Sequence, residues 1–506
     1  MVVVGLFAFT AVSAASYQNM NMAVIIRQMA SLLRNPAMSA FLGRPYALGN
    51  AGGFTVWKSG ALIGAIGAVW VSLVVTRLTR GAEDTGVFDL LVIGRHSARA
   101  ITARVAAVVF VVCVLAGAAV SSGFLWTRLS LGPSLLYGAG IALLMATFAG
   151  VALVCSQLLA PRRRASSAAV GLVAVAYVVR MVADGTTTTS FLRWATPFGW
   201  LEELRAYGTN QWWPLGLFLG APITLFIVAR ALQHRRDVGA GLWDSPDRVE
   251  PRTRLLQGPW SFAWRERLTL LKAWCGAAVV LSVMLGALVH SFVRLEQDDP
   301  NYLRLLRRYG LAEMVTAKGF VAEIDLLLAV AMALFALNSL HLLWADESGG
   351  RLDVVLATGI SRARWLVAAT ATTFGGVALL ALCNAVAVAL GAGAGGASLA
   401  FSSTLLGALN AAFLAVPVVG VGLLLHGWAP RFTLGTVSAL VASSFVVSGF
   451  GPALHWPNWV VDLSVLHHLA QVPAASVAWG AAGVMGAVAL GTGFVGFVGY
   501  ARRDLQ

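Results

Sequence analysis

Long apolar stretches recur about a dozen times between short charged loops, and this constrains the 506-residue chain more than any other feature. They fall near residues 1–16, 58–78, 103–126, 134–160, 167–183 and 214–232, then near 273–293, 323–344, 366–392, 400–426, 433–449 and 476–500. A helix crosses a bilayer with roughly 20 mainly apolar residues. With 58% hydrophobic and 11% charged residues, so much apolar surface cannot all enter one soluble core. A closed β-barrel also satisfies its backbone in lipid, but its strands alternate apolar and polar residues. The runs here are continuous. The expectation is an all-α polytopic membrane protein of about twelve transmembrane helices.

Net charge is +14, and the basic residues gather in short loops. Arg77, Arg80, Arg95, Arg99 and Arg104 surround one loop and Arg162, Arg163 and Arg164 form the next. Arg235, Arg236, Arg248, Arg252, Arg254, Arg265 and Arg267 populate the centre, and Arg502 and Arg503 close the chain. Such loops mark the cytoplasmic side, so the charge reads as an orientation signal and nucleic acid is not an expected partner. The segments 17–57 and 294–322 carry basic residues on the opposite side and dilute that signal. The expected division is a first six-helix unit over 1–232, a cytoplasmic linker over 233–259, and an interfacial helix plus second six-helix unit over 260–506. Asp244, Ser245, Pro246, Pro251 and Gly258 make the linker irregular. Trp260, Trp264, Leu268 and Leu271, spaced about one helical turn apart, predict a helix lying in the membrane interface.

The chain repeats itself. Glu83-Asp84-Thr85-Gly86-Val87-Phe88-Asp89, followed by Ser97, matches Glu347-Ser348-Gly349-Gly350-Arg351-Leu352-Asp353, followed by Ser361. The offset is 264 throughout, as in 347 − 83 and 361 − 97. Trp194 and Leu201 match Trp459 and Leu466 at an offset of 265. The reading is a tandem duplication with both copies in the same orientation, as in parallel-repeat transporters. The motif predicts a short helix whose acids occupy its first turn, complementing the macrodipole. Val87, Leu90 and Leu91, or Leu352, Val355 and Leu356, supply an apolar face; Gly94 or Gly359 stops the helix. Ser97 or Ser361 N-caps the span that follows. The result is a lever joined to a membrane helix.

At these residues the chain resembles the membrane subunits of ABC-2-type transporters, whose loop between the second and third spans carries an acidic pair, a glycine, another acid and a turn ending in Ser-Arg. The matching residues are Glu83, Asp84, Gly86, Asp89, Ser97 and Arg99, and again Asp346, Glu347, Gly350, Asp353, Ser361 and Arg362. The fused two-unit form is similar to the permeases of polyketide-antibiotic exporters of the tetronasin type. The resemblance implies that the loop helices couple to two copies of a separate ABC-type ATPase, on which ATP and Mg would bind. It also implies outward movement of a small hydrophobic or amphipathic substrate such as a drug. Lys58, Lys272 and Lys318 are the only lysines, and this composition suits a high-GC bacterium and its cytoplasmic membrane. Two departures stand out: Ser97-Ala98-Arg99 replaces Ser-Arg, and the first half lacks an interfacial helix. The first run is also short, which leads to the expectation that the natural reading frame begins upstream.

No G-x-x-x-x-G-K-[ST] loop occurs, so ATP hydrolysis is not expected of this chain. The eight histidines form no metal set, and the four cysteines sit singly in apolar runs as packing residues. No cofactor is expected on this chain. Arg180 is expected to snorkel at the outer end of its span, with a place on the substrate pathway as the alternative, and Glu323 and Asp325 to mark the outer start of another. Asn338, Asn384 and Asn410 are expected to hydrogen-bond between helices, with substrate contact as the alternative. Glu202 and Glu203 align with His467 and His468, which suggests an outer gate responsive to external pH. The alternative function is an ion- or proton-coupled secondary transporter, which would place carboxylates or broken helices near the bilayer midplane.

Overall fold

In a computed structural model, residues 2–18, 22–28, 33, 36–93, 97–185, 188–237, 239–243, 258–298, 317–450 and 456–503 are described. They form helices and connecting turns in two compact units, Met1–Glu250 and Pro251–Gln506. The irregular linker centred on Asp244–Pro251, Gly94 and most of the basic 294–322 segment lie outside the described residues.

The first unit contains α1 (Val2–Gln18), α2 (Met22–Gln28), α3 (Pro36–Leu42), α4 (Ala51–Leu78), α5 (Arg80–Asp84), α6 (Val87–Ile93), α7 (Ala98–Trp126), α8 (Leu131–Leu158), α9 (Arg162–Gly185), α10 (Pro197–Glu203) and α11 (Leu215–Gln233). The second contains α12 (Pro259–Asp298), α13 (Ala317–Ser348), α14 (Arg351–Ala357), α15 (Arg362–Ala394), α16 (Phe401–Ala412), α17 (Ala415–Trp428), α18 (Pro430–Phe450), α19 (Asn458–Val461) and α20 (Trp479–Arg502). Every expected apolar run is helical among the described residues. Among the described residues ten helical segments are long and apolar enough to cross a membrane, α16 and α17 counting together as one; α1 and α18 fall outside that set. α1 is 17 residues long.

α8 is the axis of the first unit: 78% of its most apolar window is buried, against 11% for α11, which therefore faces outward. α4, α7 and α11 pack on α8, and α1 packs on α7. α7 and α8 cross closely because a Cβ on Gly117 or Gly138 would overlap the other's carbonyl oxygen. The second unit repeats these partnerships, with α12 on α15 and α20 on α17. Its most enclosed span is α13, and α20 is peripheral.

Two expectations change here. The segment Trp260–Lys272 is not a separate interfacial helix but the first third of α12, which runs unbroken for 40 residues. No proline follows its first residue, and the isolated glycines Gly276 and Gly286 are each too weak a breaker. At about 1.5 Å per residue this helix exceeds the roughly 30 Å hydrocarbon core. Conversely, the run 400–426 is broken between α16 and α17. Pro417 lacks the N–H that would bond the Phe413 carbonyl, and Phe413 and Leu414 close tighter turns to Asn410 and Ala411 instead.

Candidate functional site

The duplicated loops hold the chemistry that the sequence singled out. In the first unit α4 ends at Leu78 and two short helices, α5 and α6, turn at Gly86 with φ +72°. In the second, α13 runs to Ser348 and α14 starts after Gly350 with φ +68°. Both glycines occupy the left-handed region that a side chain would strain. Gly359 has φ +86° and stops α14 as expected. Ser97 caps α7 by accepting from Ala100 N at 3.2 Å, and Ser361 caps α15 by accepting from Arg364 N at 3.3 Å. Arg99 and Arg364 are exposed.

The acids divide into two roles. Asp89 and Asp353 lie in the first turns of α6 and α14 and are exposed. Glu83 and Glu347 do not: each sits at the end of the preceding helix, with its side chain 2% and 10% exposed. Arg236 Nη2 meets Glu83 Oε1 at 2.5 Å, and Arg80 Nη1 meets Glu83 Oε2 at 3.0 Å. The Gly239 N–H also donates to Glu83 at 3.3 Å, and Arg236 Nε donates to Gln157 at 2.7 Å. Asp84 accepts from Arg162 N at 2.8 Å. In the second unit Glu347 pairs with Arg503 and lies 3.3 Å from His426 Nε2. Arg503 in turn donates to the His426 carbonyl at 2.8 Å, and Arg362 donates to the Arg503 carbonyl at 2.9 Å. Asp346 binds Arg351 at 2.8 Å. Partial burial lowers the Arg503 pKa from its ordinary value.

Arg236 follows α11 and Arg503 follows α20, so in each unit the motif glutamate clasps the end of the last span. Sequence reasoning placed both arginines in basic clusters and missed the clasp. Their matching positions just beyond the two final apolar runs were the available signal.

The expected apolar face of the loop helix is also rearranged. The inward anchors are Phe88 and Leu352, each 2% exposed. Leu90 and Val354, again 264 apart, are 71% and 70% exposed. Beside Asp89 and Asp353 they give each loop the same tip, an acid next to an exposed apolar side chain.

At the other end of the first unit Arg180 is 1% exposed rather than snorkelling. It meets Glu202 at 2.6 Å and donates to the carbonyls of Ala40 and Phe41 at 3.2 and 3.1 Å. It also lies 3.7 Å from Asp184. Burial of a guanidinium is tolerated because carboxylates and carbonyls replace its water. Glu203 binds Arg193 at 2.5 Å and Arg205 at 2.7 Å, and Tyr46 donates to it at 3.2 Å. The Tyr46 phenol is pushed up to about 12, by burial first and by the Glu203 charge second. Glu202 and Glu203 are thus engaged within their own unit. In the second unit the exposed His467 and His468 contact Asp462, at 3.7 Å through its carboxylate and 2.8 Å through its carbonyl.

Asp325 does not lie at a surface start of α13; it is 3% exposed. Asn384 donates to it at 2.8 Å and accepts from Ser282 at 2.7 Å, so one asparagine ties α12, α13 and α15 together. Glu323 accepts from Gln471 at 3.4 Å. Asn410 donates to the Ala470 carbonyl at 2.8 Å, while Asn338 is half-buried. Among the described residues, no three His, Cys, Asp or Glu side chains gather as a metal site.

Comparison with known proteins finds similarity to a transport protein. Residues 256–501 match the family described as the C-terminal domain of the multidrug efflux system permease Rv1217c. The multidrug efflux system permease protein Rv1217c of Mycobacterium tuberculosis (strain ATCC 25618 / H37Rv) is 29% identical over 453 residues, covering 88% of this chain and 80% of that protein. Over most of its length, this multi-span helical chain is similar to an efflux permease.

Proposed function

We propose that the chain is the membrane-spanning permease of a bacterial exporter of hydrophobic or amphipathic compounds. It would sit in the cytoplasmic membrane and be driven by two copies of a separate ABC-type ATPase that binds ATP and Mg. The observation that carries this reading is the duplicated loop tip. Asp89 with Leu90, and Asp353 with Val354, stand exposed on short helices outside the spans. An apolar side chain left uncovered at the same place in both repeats is suited to enter a cleft on a partner subunit. The clasps of Glu83 to Arg236 and Glu347 to Arg503 supply the mechanics, because tilting of a loop is passed to the last span of its unit. Similarity to a multidrug efflux permease supports the substrate class.

The test is reconstitution with the ATPase subunits in vesicles. Leu90→Asp with Val354→Asp should abolish ATP-dependent export and substrate-stimulated ATP hydrolysis, while insertion and detergent-solubilised stability stay unchanged. Undiminished export by the double variant would refute docking through these tips.

A second reading, ion- or proton-coupled transport, draws on Asp325, whose Oδ2 has no hydrogen-bond partner among the described residues. A buried carboxylate on a membrane helix also occurs on coupling-ion pathways. Export that proceeds without ATPase subunits and collapses with the proton gradient would favour it.

A further inference from the structure

Each unit carries an apolar cleft at the same place, between its third, fourth and last spans. In the first unit the cleft lies among α7, α8 and α11, with a volume of about 360 Å³. In the second it lies among α15, α17 and α20, with about 500 Å³. Phe110 and Phe374, 264 positions apart, line the two clefts, and each lining also holds a glycine and an aromatic ring on the last span, Gly150 with Phe226 in the first and Gly420 with Phe497 in the second. Both volumes fall within the ~300–1,000 Å³ of small-molecule sites. Close packing is the rule between membrane helices, and a cleft of this size between the corresponding spans of both units departs from it.

The clefts open outward. α11 and α20 are among the least enclosed spans, and at the rims Leu219 is 52% and Leu490 76% exposed. The lining holds no charged group, which excludes recognition of an ionised ligand inside. Charge appears instead at the loop end. Arg99 is one turn before the lining residue Ala103 on α7, and Arg230 is one turn beyond Phe226 on α11. Arg364 is one turn before Val367 on α15. All three arginines are exposed, and residues spaced three or four apart share a helix face. Thr370 lines the second cleft two turns further in, and its hydroxyl has no hydrogen-bond partner among the described residues.

We infer that each cleft holds an acyl chain of an anionic phospholipid, with the phosphate at the arginine mouth and, in the second unit, an ester oxygen at Thr370. A hydrocarbon chain matches the uncharged lining, and the cationic mouths complement an anionic headgroup.

The experiment is native mass spectrometry of the full chain, released from vesicles of equal phosphatidylglycerol and phosphatidylcholine. Two tightly retained phosphatidylglycerol molecules are expected. Ala107→Phe and Ala371→Phe, which fill equivalent positions, should each remove one, and the pair should remove both. Arg99→Gln with Arg230→Gln leaves the core untouched and keeps the test meaningful if the filled variants misfold. It should cut the phosphatidylglycerol preference of one site by about fivefold for each arginine. Retention of both lipids by the correctly folded double-filled variant would overturn the inference, as would equal binding of the two lipids. Displacement of lipid by a hydrophobic dye, blocked in the filled variants, would reassign the clefts to substrate and likewise overturn it.

Discussion

Glu83→Gln should be among the most damaging conservative substitutions in the first unit. Glu83 lies between Arg80, 0% exposed, and Arg236, 4% exposed, at 3.0 and 2.5 Å. Glutamine keeps the shape but removes the carboxylate charge that these two guanidiniums share in the clasp. Breaking a buried ion pair from one side costs about 3–5 kcal/mol, because the remaining charge stays desolvated. A domain is stabilised by about 5–15 kcal/mol in total, so the loss is a large fraction. In the second unit Glu347 is 10% and Arg503 21% exposed, and water screens the uncompensated charge. There Glu347→Gln should cost only about 1–2 kcal/mol. Equilibrium unfolding in mixed micelles measures both. The double variant Glu83→Gln, Arg236→Gln should recover at least about 1–2 kcal/mol relative to the sum of the single changes. A Glu83→Gln variant no more destabilised than Glu347→Gln, or a double-mutant coupling energy below about 0.5 kcal/mol, would refute a buried charge clasp at Glu83. A charge reversal at either position would mix lost coupling with lost structure, so the loop tips are the cleaner test of function.

Other expectations follow from the same structure. Asn384→Ala removes the donor to Asp325 and the acceptor for Ser282, and should lower the stability of the second unit by about 1–3 kcal/mol, read by thermal unfolding in detergent. An unchanged midpoint would mean the three helices do not depend on this link. Tyr46 ionises at about 12 in the folded protein against 10.0 for a free phenol. A raised value stabilises the fold below pH 10.0, and that contribution is lost as pH rises toward about 12. Phenolate absorbance should therefore show a late-titrating component that Tyr46→Phe diminishes by one residue's amplitude, and an unaltered titration in that variant would contradict the assignment. Arg180→Leu should strand Glu202 and Asp184 and prevent correct folding of the first unit, seen as lost monodispersity; a well-behaved variant would show that the cluster is dispensable.

Much of the architecture was legible because its signals are local. Apolar length identifies a membrane helix whatever it packs against, and the capping serines Ser97 and Ser361 act within one turn of their own helices. The break at Pro417 was also readable in principle, since it depends on one missing N–H and nearby backbone. The unbroken α12 was harder: the amphipathic pattern of Trp260–Leu271 suits an interfacial helix and the first turns of a long span equally well.

By itself the sequence determined the helical membrane class, the repeat at a spacing of 264, the loop with its glycine turns, and the absence of an ATP-binding loop. Only the tertiary structure decided what the charged residues do. It brought Arg236 to Glu83 across 153 positions and Arg180 to the carbonyls of Ala40 and Phe41. It turned Phe88 inward and left Leu90 exposed. Helical periodicity reports which residues share a face, but not which helix ends meet. In a low-dielectric interior a charge is stable only where another chain segment arrives to replace its water, and that arrival is a property of the packed fold.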